Sequence, residues 1–206
     1  MQFATPQAAR AALNNSLTDE APSAVIRQLL AEHALQPFGI SEPFTTAPLD
    51  LVPQGLLCRW WAFLHLAGMG PIQAAGSFDL GGSFLTDLIR MQGLYKNGPS
   101  QDQQQLKQRI AGGLPFDYGD AARTFTVVDQ RFAAEEELFY SLLRSREAYT
   151  KQQLAITGPE LLVEGVPRRR LAQVENALLK TVIRQPELNS YPTLAALAKE
   201  LVHILK

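Results

Sequence analysis

This chain is poor in the residues that carry chemistry. Its 206 residues include one cysteine and three histidines. A single thiol, Cys58, excludes an internal disulfide, and its place in an apolar run reads as a small buried hydrophobe in a reducing compartment. His33, His65 and His203 each lack a second His, a Cys or a carboxylate pair at metal-ligand spacing. Excess charge is also missing. Nineteen Lys and Arg against twenty Asp and Glu leave a net charge of −1, so no global field draws the chain to nucleic acid or acidic membranes. Any polyanion site must be a local patch. The longest apolar run, around "WWAFLHLAG", is too short to span a bilayer. The start, "MQFATPQAARAALNNS", lacks the basic region and apolar core of a signal peptide. These absences predict a soluble, cytoplasmic protein with no membrane partner.

Strand alternation is absent too, and no repeat recurs at solenoid periods. What is present is helical. Thr5 and Pro6 open a short helix through "QAARAAL", and Ser23 is placed to cap "AVIRQLLAEHAL", where Val25, Ile26, Leu29, Leu30 and Ala34 share one face. "QPFGISEPFTTAPLDLVP" is aperiodic and reads as a packed connector. Pro53 fits the first turn of a helix running to Gly68, and "LLCRWWAFLHLAG" is apolar on almost every side, which predicts a central helix. Ser100 caps a compact polar helix that ends at a glycine pair, followed by helices over "DYGDAARTFTVVDQRF" and "AAEEELFYSLLRSREAYT". The predicted fold is all-α, an irregular multi-helix array with a small C-terminal helical subdomain. Its divisions are residues 1–52 (neck-like helices and the Pro-rich connector), 53–150 (a helical body) and 151–206 (a helical tail).

Several chemical signatures are imitated without being completed. A His-Asp phosphohydrolase pair needs a carboxylate after His65, where Leu66 stands. Gly68 and Gly70 follow a helical pattern, so they do not open a dinucleotide-binding turn. Gly81 and Gly82 precede no Asp-x-Asp strand that could hold two metal ions. No Gly-x-Ser-x-Gly elbow occurs. Three consecutive acids, residues 135–137, point about 100° apart on a helix and read as a solvated N-terminus. Trp60 and Trp61 read as packed on their apolar helix, one of them available for an interface.

Residues 154–179, "LAITGPELLVEGVPRRRLAQVENALL", carry a more specific pattern. Leu154-x-Ile156-Thr157-Gly158-x-Glu160-Leu161 precedes Gly165-x-Pro167 and an amphipathic helix. This resembles the C-terminal region of CCA-adding tRNA nucleotidyltransferases, in which a Leu-x-Ile-x-Gly-x-Asp-Leu segment precedes a Pro-Gly-Pro turn and a helix. "ALLKTVIRQPELNSYPTLAALAKEL" is similar to that family's helix, linker and final helix, and "PLDLVPQGLLCRWWAFLHLAG" to the start of its body. Two positions depart from the pattern: Glu160 replaces Asp, and Arg168 and Arg169 stand in place of Gly-Pro. The catalytic head of the family is not in this sequence. The resemblance therefore implies the tRNA-binding body and tail, without catalysis and without a cofactor in this chain. The parent enzyme would use Mg and CTP or ATP in its head.

The resemblance implies a nucleic-acid-binding set of Gly158, Pro167, Arg168, Arg169, Arg170, Lys180 and Arg184. A helix start offers free N–H groups to a phosphate, and arginines add charge-assisted contacts that position RNA without reading bases. Three arginines there oppose the helix dipole, and their stems can equally cover apolar neighbours in a purely solvated role. Expected partners are tRNA, a catalytic head domain or a second copy of the chain. DNA is not expected, because "PTLAALAKELVHIL" lacks basic residues along a face. The alternative reading is a non-enzymatic protein-interaction or oligomerisation module.

Overall fold

The computed structural model of the protein describes residues 3–40 and 44–204. Eleven α-helices and no strands occur among the described residues, so the all-α multi-helix fold stands. Residues 41–43 of the Pro-rich connector lie outside the described residues, as do residues 205 and 206 of the tail segment. The chain forms two compact units, Met1–Pro99 with Pro115–Glu136, and Ser100–Leu114 with Glu137–Lys206. Divisions after residues 52 and 150 follow composition, whereas these units follow packing.

In the first unit, α1 (Pro6–Thr18) starts where Thr5 and Pro6 place it, and the Thr5 hydroxyl accepts from the Ala8 N–H at 3.2 Å. It outruns the short helix expected because Leu13 and Leu17 continue the buried stripe begun by Ala9. α2 (Pro22–Ala31) buries Ile26 and Leu29. Ser23 is not its cap. It lies inside the first turn, where its N–H and hydroxyl donate to the Asp50 carboxylate at 2.9 and 2.5 Å. Asp50, from the 3₁₀ turn Ala47–Leu51, therefore performs the capping from another element.

α3 (Leu56–Leu66) starts after Pro53, with Gly55 as its N-cap, and it is central as expected. It packs against α1, against α5 (Gly82–Lys96) and against α7 (Tyr118–Val128), while α4 (Pro71–Phe78) packs on α5. Trp60 and Trp61 are both buried. Their indole N–H groups donate to Asn14 Oδ1 at 2.7 Å and Gln92 Oε1 at 3.0 Å, so each ring is buried with its polar edge satisfied. Arg59 is buried beside them. Its Nη1 donates to the Leu17 and Asp19 carbonyls at 2.6 Å each, closing the C-terminal end of α1. Gly68, at φ +69°, ends α3 in the left-handed region that favours glycine. His65 is a packing residue, stacked on Trp61 at 5.0 Å and against Tyr95 at 4.7 Å, and burial pushes its pKa down.

α8 (Ala133–Ser145) corrects the reading of the three acids. Glu135 is fully buried and accepts from the Tyr118 hydroxyl at 2.6 Å, and Glu136 pairs with Arg123 at 3.7 Å. Of the three, Glu137 alone is exposed. Tyr118 on α7 supplies one of the partners that a buried acid needs.

In the second unit, α6 (Gln103–Ala111) is capped by Asp102, whose carboxylate accepts from the Gln105 N–H at 2.7 Å; Ser100, the expected cap, is buried instead. Lys107 of α6 is buried and paired with Glu147. The turn-rich stretch after Thr150 places Leu154, Ile156, Leu161 and Val166 in the core. α9 (Gly158–Val163), α10 (Leu171–Arg184) and α11 (Tyr191–Ile204) follow. α10 is the hub of this unit. It buries Val174, Leu178, Leu179, Val182 and Ile183 and packs against α6, α9 and α11.

Candidate nucleic-acid interface

The motif of residues 154–179 folds by local rules that can be read residue by residue. Thr157 and Glu160 form a capping box at the start of α9. The Glu160 carboxylate accepts from the Thr157 N–H and hydroxyl at 2.7 Å each, and these bonds hold its pKa below the usual carboxylate value. The acid of the Gly-x-acid-Leu segment thus has a folding role, and the longer glutamate side chain is the one a capping box uses. Gly158 lies close to α10, where a larger residue would displace the Glu175 carboxylate. A Cβ there would lie 2.9 Å from Glu175 Oε1 and 3.6 Å from Leu171 Cδ2 on α10. Pro167 precedes a 3₁₀ turn, Arg168–Arg170, and its carbonyl accepts from the Arg170 N–H at 2.8 Å.

The three arginines separate by environment. Arg168 and Arg169 are exposed, with no ion pair among the described residues. Arg170 is half-buried, and its guanidinium donates to the Val202 carbonyl in the last turn of α11. That carbonyl is one that a helix end leaves without an intrahelical partner, and a cation complements the dipole there. Arg170 therefore fastens α11 to the start of α10.

Lys180 and Arg184 lie on the far half of α10, one turn apart and both exposed. At ~1.5 Å per residue they are on the order of 16–23 Å along the axis from Arg169. With Gln173 and Asn176 they form an exposed stripe on the side of α10 away from Val174, Leu178 and Val182, which are buried.

This half of α10 is one wall of a groove of about 880 Å³. The end of α6 and the 3₁₀ turn Lys151–Gln153 form the others. The charged lining residues are Lys151, Lys180 and Arg184, and no acid lines the groove. Lys151 Nζ is 3.6 Å from the Glu175 carboxylate, which offsets part of its charge. Lys180 and Arg184 have no ion pair among the described residues. Between the cations stand the amides of Gln108, Gln152 and Asn176, and edges of the core residues Ile110, Leu179 and Ile183 show at the floor. Gly112 and Gly113 end α6 at the groove, and a Cβ at either would meet nothing within 4 Å.

Of the residues expected to bind nucleic acid, the structure brings Lys180 and Arg184 into this groove. Gly158, Pro167 and the three arginines are not among its lining residues. The α6 wall has no counterpart in the sequence motif, because residues 108–113 are distant in the chain from α10. The capping box did have a signal, Thr157-x-x-Glu160 before an apolar residue.

No group of three or more His, Cys, Asp or Glu side chains converges among the described residues, and none of the described helices is long and apolar enough to cross a membrane. Comparison of the chain with protein-family profiles, with curated proteins and with solved structures gave no match.

Proposed function

We propose that this protein is a helical RNA-binding module that grips the phosphate backbone of a structured RNA along one side of α10. The observation that carries the reading is the pair Lys180 and Arg184, exposed, one turn apart and without an ion pair among the described residues, on a groove wall with no acid. Cations one helical turn apart contact a backbone without reading its bases, and A-form RNA is recognised by shape and phosphate contacts of this kind. Arg168 and Arg169 extend the same charge toward the start of the helix. The resemblance of residues 154–179 to the tail of CCA-adding tRNA nucleotidyltransferases narrows the RNA to tRNA. In that reading the chain positions tRNA for CCA addition by a catalytic head and performs no phosphoryl transfer itself.

Fluorescence anisotropy with tRNA across a salt series tests this. Lys180→Ala with Arg184→Ala should lower the slope of log K against log salt by ~1.4–1.8, at ~0.7–0.9 for each phosphate no longer neutralised. The finer reading expects tRNA to bind more tightly than an unrelated hairpin of equal charge. Absence of binding at low salt ends both.

One observation favours the second reading, association with protein. Val163, at the end of α9, is 86% exposed, with Leu162 exposed beside it. Light scattering showing self-association that Val163→Ser abolishes, with no RNA affinity, would establish it.

A further inference from the structure

We propose that the groove lined by α6, α10 and the Lys151–Gln153 turn is a nucleotide site that takes one unstacked nucleotide by its base, sugar and phosphate. The inference rests on the same cationic face of α10 as the RNA-binding reading, and it asks more of it. A phosphate alone needs only cations, and Lys180 with Arg184 supply them. The rest of the lining is surplus to a phosphate.

The side-chain amides of Gln108, Gln152 and Asn176 each present a donor and an acceptor, and none of the three is hydrogen-bonded among the described residues. Adjacent donor and acceptor groups are what the edge of a base offers, and Asn and Gln pair with adenine in this way. Leu179 and Ile183 are buried beneath the floor, so the apolar surface left for the face of a base is Ala111 with the open backbone of Gly112 and Gly113. The volume of about 880 Å³ falls within the range of small-ligand sites.

The walls of the groove differ in charge, with the cations Lys180 and Arg184 on α10 and none on α6. The last turn of α6 presents carbonyl acceptors, which suit an amino group on a base and repel a phosphate. The base is therefore placed at Gln108 and Gly112, and the phosphate at Lys180 and Arg184. Glycine at 112 and 113 leaves the backbone open to a flat ring.

A nucleotide can come from a single-stranded RNA end or from a free mononucleotide, and the test separates the two. The full chain is titrated with a blunt RNA hairpin, with the same hairpin carrying a short 3′ single-stranded extension, and with adenosine monophosphate followed by NMR. Gly112→Leu narrows the groove, and φ −66° at Gly112 suits any residue. Asn176→Leu is a second variant, at an exposed position of α10. The extension should tighten binding about tenfold over the blunt hairpin, the equivalent of one or two net hydrogen bonds to the base, and both variants should bring that ratio to one.

If the two hairpins bind alike and adenosine monophosphate gives no shifts, the nucleotide site is overturned while backbone binding stands. If the hairpins do not bind but adenosine monophosphate does, and both variants abolish its binding, the site stands and takes free nucleotides, and the RNA-binding reading falls. If nothing binds, both fall.

Discussion

Replacing Arg170 with alanine removes a half-buried guanidinium that donates to the Val202 carbonyl at the end of α11. A hydrogen bond from a charged donor contributes ~1.5–3 kcal/mol when well buried. Arg170 keeps part of its surface in water, and in the variant water reaches the freed carbonyl, so the net loss is reduced to ~1–1.5 kcal/mol. For a unit in the 60–100-residue class, each kcal/mol lowers Tm by ~4–8 °C, which gives a drop of ~4–12 °C. Thermal melting followed by far-UV circular dichroism reads this directly, with Arg168→Ala and Arg169→Ala measured beside it. Those two side chains are exposed and should melt with the unmodified protein. Arg170→Lys should fall between, because an ammonium on a flexible stem holds the carbonyl less well than a fixed guanidinium. RNA affinity measured well below the melting range should rank the other way, with Arg168 and Arg169 mattering more than Arg170. Equal stability losses at all three positions, or none at Arg170, would refute the division of the arginine turn into one fastener and two free cations.

Other perturbations probe the scaffold. Asp129 accepts from the Arg131 guanidinium and the Tyr95 hydroxyl, and chiefly Arg131 holds its pKa down to about 2. Because the folded value lies below the usual 3.8, its contribution is complete above roughly pH 4 and is lost as pH falls toward 2. Asp129→Asn should therefore flatten the fall of Tm across that window. Asp50→Ala uncaps α2 and should lower stability by ~1–2 kcal/mol, seen as a lower urea midpoint at unchanged m. Glu147→Ala leaves the buried Lys107 ammonium without its carboxylate. Since Glu147 is itself partly exposed, the loss should sit near ~2 kcal/mol, and Lys107→Met, which removes the charge and keeps the volume, should cost much less in the same urea titration.

The helices were legible wherever one local rule governed them. Thr5 with Pro6, the all-round apolar run at Trp60 and Trp61, and the long period of α10 each carry their own signal. The misplaced caps share one cause: Ser23 and Ser100 look like caps by type, but burial removed Ser100 and a carboxylate from another element, Asp50, took over at α2. Glu135 misled for a related reason, since nothing near it in the chain announces Tyr118. At the candidate site, Lys180 and Arg184 belong to the set that the resemblance implies, whereas Gln108 and Gly112 do not. Their role depends on α6 lying against α10, a pairing that periodicity does not encode. The arginine cluster was visible as a charge pattern, but its split needed the Val202 carbonyl.

The order in which the chain visits its two units constrains its synthesis. Ser100–Leu114 is made before Pro115–Glu136 completes the first unit, yet it belongs to the second, whose remaining helices come last. During translation the first unit can close while α6 waits for α10, against which it packs, to leave the ribosome. A fragment cut to begin at Glu137 would keep the whole tail motif and lose α6, and with it one wall of the groove.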